Sequence, residues 1–390
     1  MSSYAIYRLP HEDYCTLMIQ DDGQPEVLQS YAALNGKSGF VIAPFSISPA
    51  TPLLLLHPEQ TKTLLIDDIS HFDMSSMPFY PCKQPLFEVQ TAPVCQPNSP
   101  CLTTKQPLLR TQYSIDYSRF HSELLANHYE KLVLSRCLPL PNDGTCHPLE
   151  LFIRACQRYP RLFISLVSTE QGGTWLTATP EILLEGKNGQ WRTIALAGTM
   201  KLEGKNLEGE GENVTWSTKN IQEQRYVATY LAEQLKPFAG NLHEEGPRTV
   251  RAANLIHLRS DFIFTLIHYA RVGDLLQTLH PTPAVCGLPK EEAAEFIMQN
   301  ESTPRLYYSG FMGPLNIARP HPQSPTGTSG SLPPSTSPET HLYVTLRCMH
   351  ICPEEYRLYA GGGLLKESIE EQEWLETEAK METMIHLTER

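Results

Sequence analysis

Between residues 131 and 200 the hydrophobic and polar positions alternate with a period of two. In KLVLSRCLPL, Leu132 and Leu134 fall on one side of an extended chain and Lys131, Val133 and Ser135 on the other, which predicts a strand. HSELLANHYE, just before it, reads as a helix. The stretch TWLTATPEILLEGKNGQWRTIALAGT predicts two strand-like runs joined by GKNG, because Asn188 and Gly189 both tolerate positive φ. Folding the chain at that turn sets Glu181 opposite the run from Ile194 to Leu196, so a carboxylate comes beside ALAGT. LYVTLRCMHI is a further strand-like run, carrying Arg347. Strands and helices alternate without a βαβ rhythm, which predicts an α+β protein with mostly antiparallel sheet.

The helical segments place carboxylates in unusual company. At the C-terminus Ser368 and Glu371 have capping-box spacing. Glu373, Glu376 and Lys380 then fall within about 60° of arc, beside an apolar stripe of Trp374, Met381 and Ile385. Spacing alone suits a solvated face with a Glu376–Lys380 pair. In STKNIQEQRYVATYLAEQL, Glu223 shares a face with Val227 and Tyr230. A carboxylate on a core-facing stripe needs a partner, so either the stripe is half-buried or Glu223 meets a cation or a metal. Three glutamates on two helices could make the hard-oxygen site that Mg²⁺ favours.

Other pieces are individually plain. AGGGLL (360–365) lacks the Gly-Lys-Ser/Thr ending of a phosphate loop and reads as a turn, or as backbone closely approaching an anionic group. In LHPTPAVCGLP (279–289) three residues precede prolines, which predicts a stiff, extended segment. His280 by itself reads as a structural histidine. Lys131 or Arg347 alone would snorkel to the surface.

The 390 residues carry a formal net charge of −12, which argues against a nucleic-acid partner. No run of about 18 apolar residues suggests a membrane span, and MSSYAIYRLPHEDYC has no secretory pattern. The ten cysteines are scattered, as expected of reduced thiols in a cytoplasmic protein. Residues 76–108 read as irregular, and residues 317–340, nearly all Pro, Ser, Thr and Gly, as a mobile surface loop.

Taken in order, KLVLSR, ATPEILL, ALAGT, KNIQEQ, LHPTPAVCGLP, ESTPRLYYSGFMG, LRCMHI, YAGGGLL and ESIEEQEWLETEAK resemble the chorismate-utilising enzymes from about residue 115 to 385. These include isochorismate and salicylate synthases and component I of anthranilate and aminodeoxychorismate synthases. The resemblance implies one α+β domain over 1–390, with two large, mostly antiparallel sheets flanked by helices, as in anthranilate synthase component I. Residues 1–110 form its loosely matched N-terminal part, with GFVIAPF the best piece. It implies a magnesium-dependent cleft for chorismate.

In isochorismate synthases a lysine activates water for attack at C2 and a glutamate protonates the departing C4 hydroxyl. Here these are Lys131, which must lose its proton, and Glu181, which must hold one. Glu223 and Glu376 match the magnesium ligands, with Glu373 alongside through water. Arg347 and Tyr308 match residues holding the enolpyruvyl carboxylate, helped by backbone N–H groups near Gly361 and Gly363. Leu196, Ala197, Gly198 and Thr199 match the pocket lining, and His280 and Lys380 match pocket residues.

There are departures. Thr177 and Thr179 stand in TATPE where a common family form reads GASPE, and Asn220 and Gln224 replace a frequent acid and histidine. Ala197 occupies the place of the nucleophilic lysine of aminodeoxychorismate synthases, which disfavours that activity. No amidotransferase segment or LLES-type motif is present, so no amidotransferase subunit is expected, and monomers are common among such synthases. The expected activity is isochorismate synthase, in menaquinone biosynthesis rather than siderophore biosynthesis. Salicylate synthase is the alternative within the family, and a catalytically silent chorismate-binding relative the alternative outside catalysis.

Overall fold

A computed structural model describes residues 2–71, 77–81, 101–201, 214–253, 255–268, 271–319 and 337–389. Two nine-stranded antiparallel sheets face one another. The first runs, in spatial order, Gly287–Leu288, Lys131–Pro141, Glu355–Leu364, Cys348–Ile351, Gly173–Thr179, Phe163–Thr169, Ser3–Arg8, Tyr14–Gln20 and Gln60–Leu65. The second runs Ala239–Ala252, Leu255–Leu266, Gln190–Lys201, Ile182–Lys187, Thr340–Val344, Phe311–Leu315, Gly39–Ala43, Leu53–Leu56 and Glu26–Leu28. The N-terminal part therefore contributes strands to both sheets. Among the described residues no helix is long and apolar enough to cross a membrane.

Strands buried on both faces need apolar cover on both, and the chain provides three apolar layers. Between the sheets lies an aromatic layer in which Phe163 stacks on Tyr343 with ring centroids 4.3 Å apart. Outside the first sheet, helices Pro148–Arg158 and Glu370–Thr388 bring Phe152, Met384 and Leu387 against Ile164, Leu176 and Leu358. Outside the second, helices Thr218–Leu235 and Val272–Leu279 bury Val227, Leu231, Leu275 and Leu276. Phe152 is wholly buried, and truncating such a residue to alanine costs about 3–5 kcal/mol.

Several local expectations change. Helix Cys101–Leu125 takes in residues 101–108, which the sequence marks as irregular; residues 82–100 lie outside the described residues. Of the 317–340 segment, residues 320–336 likewise lie outside them, while Ile317 bridges Glu339 and Arg319 reaches Glu12 at 3.0 Å. No capping box forms at the C-terminal helix. Ser368 Oγ accepts from Leu365 N at 3.0 Å and Glu371 is drawn off to Arg110 at 2.8 Å. The Pro-framed 279–289 segment is not extended throughout, since Thr282 O accepts from Val285 N and Cys286 N in a tight turn.

The GKNG hairpin forms as expected, with Asn188 at φ 51° and Gly189 at φ 83°. TWLTATPEILL is not one strand, however. Gly173–Thr179 belongs to the first sheet and Ile182–Lys187 to the second, so the chain changes sheet at Pro180–Glu181. It changes back between Thr340–Val344 and Cys348–Ile351. The two crossings lie side by side: Val344 N donates to Glu181 O at 2.9 Å and Ala178 N to Arg347 O at 3.1 Å.

Candidate active site

Glu181 and Arg347 thus occupy the two points where backbone leaves one sheet for the other. Arg347 holds a left-handed φ of 46°, an uncommon state for a non-glycine residue that persists only where its surroundings enforce it. Both side chains reach a small cavity of about 60 Å³. Leu196, Ala197, Thr199, Tyr308, Gly361 and Lys380 also line it, as their sequence matches imply. A bulge between Ala197 and Thr199, with Gly198 at φ +72°, sets Thr199 opposite His257.

Burial pushes the Glu181 carboxyl up to about 8, against the pull of Lys131, Lys380 and Arg347. At neutral pH this group holds its proton, as a general acid must. Burial also lowers the Arg347 guanidinium to about 10. Arg347 donates to Ala252 O at 3.0 Å and to His257 Nε2 at 2.5 Å. His257 Nδ1 then lies 3.2 Å from Gly198 O, so the tautomer with hydrogen on Nδ1 satisfies both contacts. Burial, with Arg347 and Lys380, keeps this imidazole well below its usual range, hence neutral.

Behind Gly361, three glutamates each face a lysine. Lys131, wholly buried, brings Nζ to 3.2 Å from Glu223 Oε1, an ion pair without hydrogen-bond geometry. Lys219 donates to Glu373. Lys380 donates to Glu376 at 2.6 Å, the i,i+4 pair anticipated from spacing, and to Gly361 O at 2.8 Å. Burial acts to raise the Glu223 carboxyl, but Lys131, Lys219 and Lys380 outweigh it and hold it below the ordinary range. Glu373 goes the other way: burial, reinforced by Glu376, pushes it up to about 7 despite Lys219.

The glycine run explains how these groups come so close. Gly361, Gly362 and Gly363 form a ladder with Ser135, Leu134 and Val133. A Cβ at Gly363 would lie 2.1 Å from Glu223 Oε1 and 2.9 Å from Lys131 Cε; one at Gly361 would lie 2.7 Å from Tyr308 Oη. Gly362 faces Glu373 and Glu376, its Cβ position 3.4 Å and 3.7 Å from their nearest oxygens. The run is a strand, and its missing side chains provide room for the acids.

These residues fit a hard cation. The donors are carboxylate oxygens, and Glu373 Oε2 is buried with no partner among the described residues. Among those residues, no three His, Cys, Asp or Glu side chains converge as a ready-made metal site, because each glutamate is held by its lysine.

His280 is placed differently from its sequence match. Its ring packs 4.8 Å from Tyr31 and 5.0 Å from Phe311, with Nε2 3.2 Å from Pro44 O, and burial lowers it to about 3. It is a core histidine; the Pro-framed segment offers Ala284 and Val285 to the cavity instead. His257 is the histidine that lines it, and nothing in LIHLRSD set that residue apart in the sequence. Gln224, a departure from the common pattern, clasps ALAGT: its Oε1 accepts from Ala197 N at 3.0 Å and its Nε2 donates to Ala195 O at 3.2 Å. Arg305 was also missed. Paired with buried Glu301 at 2.6 Å, it donates to Val133 O and Val285 O and so braces two cavity walls.

The chorismate binding enzyme profile matches residues 82–319 and 335–389. Isochorismate synthase EntC of Escherichia coli (strain K12) is 27% identical over 261 residues, 66% of this chain. That stretch spans 62% of EntC, less than two thirds of its length. MenF, the menaquinone-specific isochorismate synthase from Escherichia coli, superposes with a TM-score of 0.72 at 19% identity, covering 99% of this chain and 89% of that one. Anthranilate synthase component I from Streptococcus pneumoniae TIGR4 superposes at 0.62 and 15% identity, covering 98% and 89%. At such identities the two structures establish the shared two-sheet fold. With the profile spanning both crossings, the glycine run and the acidic helices, the chain belongs to the chorismate binding enzyme family.

Proposed function

We propose that the protein is an isochorismate synthase, which adds water at C2 of chorismate and releases the C4 hydroxyl, reversibly. The observation that carries this reading is Glu181: a carboxyl kept protonated by burial, in a cavity whose other polar groups suit an anion. Lys131, Lys219 and Lys380 each face a carboxylate, whereas Arg347 is held by Ala252 O and His257 and has no charged carboxylate partner among the described residues once Glu181 holds its proton. The surplus positive charge favours a dicarboxylate.

In this reading Arg347 and Tyr308 hold the side-chain carboxylate, Glu181 gives its proton to the departing hydroxyl, and Lys131 takes one from the attacking water. Lys131 must first give up its proton and part from Glu223, since an ammonium cannot accept another. Glu223, Glu373 and Glu376 would hold Mg²⁺, which supplies a positive charge for the ring carboxylate. At about 60 Å³ the cavity is far smaller than the 300 Å³ or more typical of ligand pockets. Arg347 and Lys380 must therefore exchange their present partners for substrate oxygens. Ala197, with no amine, leaves water as nucleophile. Names among the relatives favour the same activity. Menaquinone biosynthesis in the cytoplasm is the proposed setting, without an amidotransferase partner.

The test is a product assay with purified protein, chorismate and Mg²⁺, without ammonia. Isochorismate in equilibrium with chorismate is expected. Salicylate with stoichiometric pyruvate would make it a salicylate synthase, and no turnover would make it a silent binder.

A further inference from the structure

Thr179 ends a strand of the first sheet and Ile182 begins one of the second, so Pro180 and Glu181 alone carry the chain across. Proline has no N–H. Glu181 N is therefore the one backbone donor inside the crossing, and it belongs to neither ladder. With Glu181 buried, that donor needs a partner within the protein. It finds Thr179 Oγ1 at 3.2 Å, in the local turn where a threonine hydroxyl accepts from the residue two ahead. Val344 N, donating to Glu181 O at 2.9 Å, holds the other end of the residue. Both bonds run through the backbone, so the backbone sets where the carboxyl enters the cavity.

Thr177 supplies the contrast. It lies two residues earlier on the same strand, hence on the same face, and it is equally buried. Its Oγ1, however, has no hydrogen-bond partner among the described residues. Of the two threonines in TATPE, one hydroxyl is engaged at the acid and the other is idle.

We propose that Thr179 is a positioning residue for Glu181: its hydroxyl accepts the Glu181 N–H and fixes the backbone from which the carboxyl meets the departing hydroxyl. The assignment rests on the proposed reaction, with Glu181 as its acid.

Three variants of the full chain test it. Thr179→Val keeps the shape and removes the acceptor, Thr179→Ser keeps the acceptor and removes a methyl, and Thr177→Val removes the idle hydroxyl. A packing role would spare the valine at 179 and penalise the serine; a positioning role predicts the reverse. Thr179→Val is expected to lower kcat about 100-fold with KM within about twofold, and Thr179→Ser and Thr177→Val to stay within about threefold of wild type. In a Glu181→Gln background Thr179→Val should cost nothing further, because it acts only through that carboxyl. Hydrogen exchange of residues 180–182, read by mass spectrometry, reports the bond whatever the reaction: Thr179→Val should speed it at least about tenfold and Thr179→Ser leave it unchanged. Thr179→Ala, equally without an acceptor, serves if Thr179→Val does not fold. Near-normal kcat in Thr179→Val, an equal loss in Thr179→Ser, a full further loss in the Glu181→Gln background, or unchanged exchange would each overturn the assignment. Absence of turnover in the wild-type protein would instead remove the proposed reaction and this role with it, while the exchange data still showed whether the bond exists.

Discussion

Glu181→Gln separates chemistry from stability. The substitution keeps the shape of the side chain and removes its proton. Loss of a positioned proton transfer lowers turnover about 10²–10⁴-fold, or roughly 2.7–5.5 kcal/mol of barrier. Stability should move the other way. A carboxyl at about 8 when folded, against 4.5 as its ordinary value, gives full stability below pH 4.5, where both forms are protonated. That stability is lost as pH rises through 8, because the unfolded chain ionises first.

Linkage puts the change between pH 5 and pH 8 at about 3–4 kcal/mol, and the 3% exposure of the group gives little reason to discount it for solvent. Glutamine does not titrate. In urea unfolding at the two pH values, the gap between variant and wild type should therefore widen by that amount at pH 8. Other titrating groups, Glu373 among them, are common to both proteins and cancel. Parallel stability curves would show Glu181 ionised throughout, and would remove it as the proton donor.

Three further outcomes are expected. Lys131→Met should abolish turnover and, by stranding buried Glu223, cost about 3–5 kcal/mol; adding Glu223→Gln should restore most of the urea midpoint but no activity. Near-normal rates in Lys131→Met would exclude Lys131 from the chemistry. Exhaustive chelation should stop turnover, with recovery on adding Mg²⁺ and no change in far-UV circular dichroism; full activity in chelator would rule out metal dependence. Gly363→Ala forces Glu223 and Lys131 to shift and should cost about 100-fold in kcat, whereas Gly362→Ala, with its nearest contact at 3.4 Å, should be milder; equal effects would show that the Glu223–Lys131 spacing is not critical.

Much of this was legible in one dimension. Alternation in KLVLSR marked a strand, and the Asn188-Gly189 turn set the pairing that brings Glu181 toward Leu196. The Glu376–Lys380 spacing foretold an ion pair that forms at 2.6 Å. These are short-range effects, governed by side-chain direction and backbone sterics within a few residues. Choosing between histidines was beyond that range. His280 looked special because prolines flank it, yet its ring went to Tyr31 and Phe311; His257, plain in sequence, was carried into the cavity by a bulge at Gly198 in the neighbouring strand.

The sequence by itself determined the strands, the turn, the acidic helices and, through its motifs, the family. Only the tertiary structure decided that TATPEILL is cut at Glu181 and shared between two sheets, that Arg347 sits at the return crossing, and that every acid behind the glycine run already holds a lysine. The pattern of the run does not say which sheet each half joins, because both halves are strand-forming and mostly buried. What separates them is which partner strand each one meets, a choice made by packing between residues far apart in the chain.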